Sequence, residues 1–236
     1  MRQTTIIGAL LVLGAVAATG CIEPENSCDL KTQGIQAEFA AIEDGDSASG
    51  QAELFTNEHV AIVLGDCGDA ITVNGVTLNA VDESASPVVY SASVDQADEY
   101  VFVFSRPDEG DYTSTVSGLR PAVDVITPAE GEEVSRAADY EVTWGDNNGG
   151  AGNGEIEAVI SGDCITFDYE ATWTDDGSDT IAADSLDVDG ETTSCAAEIA
   201  LTRKVSGTLD SALASSGWIE GWSVGRATFT TAPPAI

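Results

Sequence analysis

Apolar and polar residues change places at every second position along much of this chain. Tyr140, Val142 and Trp144 alternate with Asp139, Glu141 and Thr143. Ile165, Phe167, Tyr169, Ala171 and Trp173 alternate with Thr166, Asp168, Glu170, Thr172 and Thr174. A period of two, rich in aromatic and β-branched residues, predicts strands with one buried face. Ile71 to Leu78 reads as a hairpin with Asn74-Gly75 at its tip, a pair that tolerates the positive φ of a type I′ turn. Tyr100 to Phe104 predicts another strand, and only Leu209 to Ser215 predicts a helical turn. The expected fold class is all-β.

The chain also carries a partial duplication. Ala61-Ile62-Val63-Leu64-Gly65-Asp66-Cys67 matches Ala158-Val159-Ile160-Ser161-Gly162-Asp163-Cys164. Without a gap, Phe104-Ser105-Arg106 then falls on Leu201-Thr202-Arg203, and Gly110 on Gly207. This predicts two tandem modules, 33–120 and 121–236, with the boundary near Leu119-Arg120-Pro121. Short strands between Gly, Asp and Ser turns suggest a β-sandwich for each. In the second module, Val123 to Ile126, the Pro128-Ala129-Glu130-Gly131 turn, Val134 and Tyr140 to Trp144 follow one another. That opening resembles bacterial immunoglobulin-like modules. The resemblance implies two tandem Ig-like β-sandwiches and no particular activity, since the fold hosts many functions.

The first twenty-one residues follow another logic. Met1-Arg2 precedes an apolar run from Ile6 to Ala18, and Ala18-Thr19-Gly20-Cys21 closes it. A basic start, an apolar stretch and small residues at its end form a secretory signal. The run is shorter than the roughly 20 residues that span a bilayer. Its ending resembles the lipobox of bacterial lipoproteins, which implies that residues 1–20 are removed and that Cys21 carries the lipid. Ile22 after that cysteine, in place of aspartate, points by analogy with lipoprotein sorting to the outer membrane. Residues 21–32 are expected to form a tether reaching roughly 35–40 Å when extended.

Charge narrows the partners. Lys and Arg number 8 against 41 Asp and Glu, a formal net charge of −33. Nucleic acid is excluded as a partner, because its phosphates need a basic face. Direct docking onto anionic lipid is excluded likewise. The acids are spread over both halves, which suits solvation in salty surroundings better than one acidic site. Apolar residues make up 43% of the chain, enough to build cores.

After Cys21 four cysteines remain, Cys28, Cys67, Cys164 and Cys195. In an exported chain an even number suggests two disulfides, with three pairings open. One bridge per module, Cys28–Cys67 and Cys164–Cys195, is the economical choice, each contributing roughly 3–4 kcal/mol by chain entropy. Metal ligation is the alternative, but there is no CxxC pair and His59 is the single histidine.

Catalytic motifs are sparse. Gly221-Trp222-Ser223-Val224-Gly225 matches the G-x-S-x-G elbow in letters, yet no acid or histidine follows Ser223 to complete a triad. Gly45-Asp46-Ser47 fails the same test. A glycoside hydrolase would need a cleft with two facing carboxylates. Calcium is the better candidate ligand, at Asp175, Asp176, Asp179, Asp187 and Asp189 in two acidic turns, with Asp44-Gly45-Asp46 and Asp146-Asn147-Asn148 similar. The plainer reading is that Asp and Gly are ordinary turn residues.

Trp144 and Trp173 fall on core faces, whereas Trp218 and Trp222 lie in or beside Gly207–Gly221, a stretch without a counterpart in the first module. They are the candidate ligand contacts, for stacking sugar rings or anchoring a protein. Arg106 and Arg203 occupy matching repeat positions, with Asp66 and Asp163 as expected partners.

Together these features predict a lipid-anchored envelope protein, similar to surface lipoproteins of this build, with no catalytic role. It would bind or scaffold at the cell surface, its partners being the membrane, through the lipid on Cys21, and a surface protein or glycan. A calcium-assisted carbohydrate-binding module is the leading alternative. A glycoside hydrolase or its accessory subunit and a passive spacer come after it. Oligomeric state is left open.

Overall fold

Alternation becomes strand through most of the computed structural model, which describes residues 23–82, 85–119, 123–145, 154–188 and 194–233. The first half contributes β1 (Glu25–Asn26), β2 (Ile35–Asp44), β3 (Ser47–Thr56), β4 (Ile62–Val63), β5 (Ala70–Val73), β6 (Val76–Thr77), β7 (Asn79–Ala80), β8 (Tyr90–Val94), β9 (Glu99–Arg106) and β10 (Gly110–Ser117). The second contributes β11 (Asp124–Thr127), β12 (Glu132–Ser135), β13 (Tyr140–Gly145), β14 (Glu155–Gly162), β15 (Tyr169–Thr174), β16 (Ser178–Ile181), β17 (Cys195–Ser206) and β18 (Trp218–Ala232). Asn74 and Gly75 both take positive φ between β5 and β6, as the expected hairpin requires.

Each half is an immunoglobulin-like sandwich. In the first, β2-β3-β8-β7 faces β10-β9-β5-β6, the A-B-E-D and G-F-C-C′ arrangement. Ile35, Phe39, Leu54, Tyr100, Phe102 and Phe104 fill the space between, with the rings of Phe39 and Phe102 stacked at 5.0 Å. In the second, β11-β13-β16 faces β15-β14-β17-β18. Its core holds Val142, Ile156, Ile199 and Leu201, and Trp144 stacks on Trp173 at 5.7 Å. Both of these tryptophans are core, as their positions in the alternation predict.

The two sandwiches share a sheet. The long strand β18 pairs with β17 along its length, and its first half also pairs in parallel with β2, from Trp218 opposite Glu38 to Val224 opposite Asp44. Strands β15-β14-β17-β18-β2-β3-β8-β7 therefore form one continuous sheet through both halves. The connection from β17 to β18 closes the first sandwich: Thr115 bridges Thr208, while Leu213 and Ile219 sit in the first core. Leu119 and Val123, on either side of the boundary between the halves, lie against β18. A Cβ on Gly221 would lie 2.3 Å from Leu119 Cδ1, and one on Gly225 would lie 1.8 Å from the Val123 carbonyl oxygen. The Gly-x-Ser-x-Gly sequence thus marks a crossing of two backbone segments within a strand, and not the strand–turn–helix of a nucleophile elbow.

Several expectations need correction. Residues 209–215 form turns and no helix, because Leu213 and Ala214 are drawn into the core beneath them. The alternation from Ile165 to Trp173 becomes strand only at Tyr169. Cys164 is tied to β17, Ile165 bridges Val188, and Phe167 is left 71% exposed. Most of the expected tether is packed. Glu25–Asn26 pairs with Ile62–Val63, and Ser27 and Thr32 are buried. The gapless repeat equates β9 with β17 correctly, since both hold the central F position of their sheets. It misaligns the preceding segment: Ile62–Val63 pairs with β1, whereas its counterpart in β14 pairs with β17.

Candidate functional site

The residues singled out by sequence fall into three groups. The first is structural. Cys28 bonds to Cys67 and Cys164 to Cys195, both with Cα–Cα distances of 5.9 Å. Arg106 and Arg203 point inward at matching steps of β9 and β17, and both are buried. Their partners differ from the expected Asp66 and Asp163. Arg106 Nε donates to Asp69 at 3.1 Å, and its other nitrogens donate to Thr32 Oγ1, Glu109 and the carbonyls of Ser27 and Leu30. Arg203 grips Asp175 with two hydrogen bonds, at 2.7 and 2.8 Å. A buried guanidinium needs such complete neutralisation, because an unpaired charge inside costs several kcal/mol.

The second group is the acidic turns. Asp175 is corrected as a calcium ligand: it is 3% exposed, and its oxygens accept from Arg203 and from Trp144 Nε1. Asp176 Oδ1 faces the Ser178 amide and Asp179 Oδ1 accepts from Thr180 N. The Asp187 backbone carbonyl accepts from Thr166 N. Asp189 and the Asp146 stretch lie outside the described residues, as does Cys21. Among the described residues, no three His, Cys, Asp or Glu side chains are placed to hold a metal ion. His59 is exposed in the turn after β3, with positive φ.

The third group forms a face. Alternation on β18 sends Ile219 into the first core and Trp218, Glu220 and Trp222 to the other side of the shared sheet. The two half-buried indoles lean together over Glu220, with ring centroids 6.2 Å apart and planes 22° from parallel. Trp222 Nε1 donates to Glu220 at 2.9 Å. Lys204, opposite Trp222 on β17, holds its ammonium 4.9 Å from that ring's centroid and 2.7 Å from Glu157.

On the other flank β2 brings Glu38 opposite Trp218, Ala40 opposite Glu220 and Ile42 opposite Trp222. From β3, Glu53 stands opposite Glu38 and Gln51 opposite Ala40. Ala40 is 3% exposed under this cover. Gln36 donates to Glu38 at 2.7 Å. Burial, with the like charge of Glu38 adding to it, pushes the Glu53 carboxyl up to about 7. Gln51 Oε1 is buried without a hydrogen-bond donor.

Sequence reasoning found Trp218 and Trp222 but missed Glu38, Gln51, Glu53 and Lys204. Glu38, Gln51 and Glu53 are far from the tryptophans in the chain and are united with them only by the parallel β2–β18 pairing, whereas Lys204 reaches Trp222 through the β17–β18 pairing. The alternation of β2 does carry one signal: Gln36 and Glu38 are polar where the opposite face, from Ile35 to Ala41, is apolar. A second carboxylate-rimmed notch, lined by Asp46, Ser47, Ser93 and Asp95, lies open at the end of the β2–β3 hairpin.

No protein-family model matches this chain. No curated protein matches its sequence. Among solved structures it is similar to the fibronectin(III)-like modules of Clostridium thermocellum CbhA, with TM-score 0.28 and 5% identity over 84% of this chain and 93% of that one. A cytokine receptor complex gives TM-score 0.26 and 9% identity, over 80% and 94%. Domains A168–A170 of titin give 0.24 and 9%, over 84% and 65%.

Proposed function

We propose that this chain is a non-catalytic binding module of the cell envelope, held by a lipid on Cys21, with the Trp218–Trp222 face as its working surface. The observation that carries the reading is the pair of half-buried indoles side by side on the outer face of a sheet that ties both sandwiches together. Aromatic side chains offer large contact area at small entropic cost, so a partly covered pair on a rigid sheet suits recognition. Facing carboxylates do occur there, Glu38 and Glu53, but as cross-strand neighbours on one sheet face rather than across a cleft.

Anchoring at Cys21 would place the module close to the bilayer. Only Ile22, Glu23 and Pro24 separate Cys21 from β1, a reach of about 14 Å at full extension. Labelling cells with a palmitate analogue tests the anchor. The account expects label and membrane retention in the native chain and loss of both in Cys21→Ser; an unlabelled native chain overturns it. A second reading, a module that stacks neutral sugar rings on the same indoles, draws on their side-by-side geometry.

A further inference from the structure

The face that joins the two sandwiches is rich in acceptors and poor in free donors. Glu38, Glu53 and Glu220 surround Ala40, each a cross-strand or diagonal neighbour of the next. The indole faces of Trp218 and Trp222 are themselves electron-rich. Most of the donors on this face are already engaged: Gln36 Nε2 with Glu38, Trp222 Nε1 with Glu220, and Lys204 with Glu157.

Among the described residues, no basic side chain pairs with Glu38, Glu53 or Glu220. Glu38 and Glu53 thus stand opposed on partly buried ground, where two ionised carboxylates are unfavourable unless a cation or a proton joins them. One cation already uses this chemistry, since the Lys204 ammonium lies over the Trp222 ring. A planar group that only donates, carries positive charge and stacks on indole would satisfy every feature at once.

Resting on the binding-module reading, we propose that this face binds a guanidinium group, presented by an arginine-bearing segment of a partner protein. Its N–H groups would meet Glu38 and Glu53, opposed across β2 and β3, while its plane lies against the indole pair. A neutral sugar is the poorer complement, because its hydroxyls need donors as well as acceptors. Charge complementarity extends to the whole molecule, whose net charge of −33 favours approach of a basic partner.

The test uses the mature chain with nitrogen-15 in its indoles, at physiological ionic strength so that diffuse attraction is screened. The probe is the peptide Gly-Arg-Gly-Arg-Gly amide, against the same peptide with citrulline for arginine. Trp144 and Trp173, inside the second core, serve as internal references. The expected result is a saturable shift of the Trp218 and Trp222 signals with arginine alone. Glu38→Gln with Glu53→Gln weakens it about tenfold, as loss of desolvated charge partners does. Asp163→Asn with Asp168→Asn, near the Cys164 bridge, leaves it unchanged.

Equal weakening in both double variants means unlocalised charge attraction and overturns the inference. A shift of all four indoles together does the same. If a neutral oligosaccharide moves Trp218 and Trp222 and the arginine peptide does not, the guanidinium assignment falls while the binding-module reading stands. If neither probe moves them in the folded native chain, this inference falls and only the labelling of Cys21 still supports the envelope reading.

Discussion

The second sandwich builds both of its sheets from residues 123–233, whereas the first leans on that same segment for its closure. The edge of β2 is paired with β18, and Leu213 and Ile219 fill the seam of the first core. Such a difference is unexpected for tandem copies of one module. It teaches that similar F strands, with Phe104 and Arg106 matching Leu201 and Arg203, do not make the halves equally independent. A strand that continues past its own sandwich can supply an edge to a neighbour, and the neighbour then loses autonomy.

The sharpest way to break the comparison is to remove the shared strand's contribution, which is the largest effect expected and is taken up last. Next come the arginines. Arg106→Ala and Arg203→Ala each leave a buried carboxylate without its partner and should cost about 3–5 kcal/mol in denaturant unfolding. Arg106→Ala should also release residues 25–32, read as faster amide exchange there, because Arg106 ties the Ser27 and Leu30 carbonyls to β9. Arg203→Ala should leave that segment unchanged.

Ile219→Ala should cost about 2–5 kcal/mol. Its distinguishing mark is where protection is lost: in β2, β3 and β9 of the first sandwich, although the residue belongs to β18. Loss confined to the second sandwich would contradict the shared core.

The smallest effect concerns Glu53. Its carboxyl holds a proton up to about 7 in the folded chain, against an ordinary value near 4.5. Between those values the folded state binds more protons than the unfolded one, so stability falls as pH rises through this window. Glu53→Gln should remove that slope, leaving the variant as stable as the native chain near pH 5 and more stable near pH 8, as thermal unfolding at the two values would read. A native chain with no greater slope than Glu53→Gln would contradict the burial of this carboxyl.

How far the sequence reached can be judged from the same elements. Alternation at Tyr140 to Trp144 and the Asn74-Gly75 turn are local signals, and both elements formed where expected. The cysteine pairs, chosen as one bridge per half, are also the ones present. What alternation could not encode was which strands meet. Nothing within Trp218 to Val224 announces a parallel partner at Glu38 to Asp44, since register is set by the cores beneath both strands. The arginine partners were missed for a similar reason: Asp69 and Asp175 lie on loops that fold back over the strand ends, while Asp66 and Asp163 were chosen because they follow the repeat. The Gly221 and Gly225 spacing resembled catalysis because a backbone crossing and a nucleophile elbow both exclude side chains.

The central claim is that the first sandwich is completed by the second. Residues 23–119 expressed alone test it most directly, by amide exchange in β2 and β3 and by denaturant unfolding. Without β18, Leu213 and Ile219, the account predicts no cooperative transition and no lasting protection in β2. A cooperative transition, with β2 as protected as in the full chain, would contradict it and make the shared sheet a contact between two independent modules.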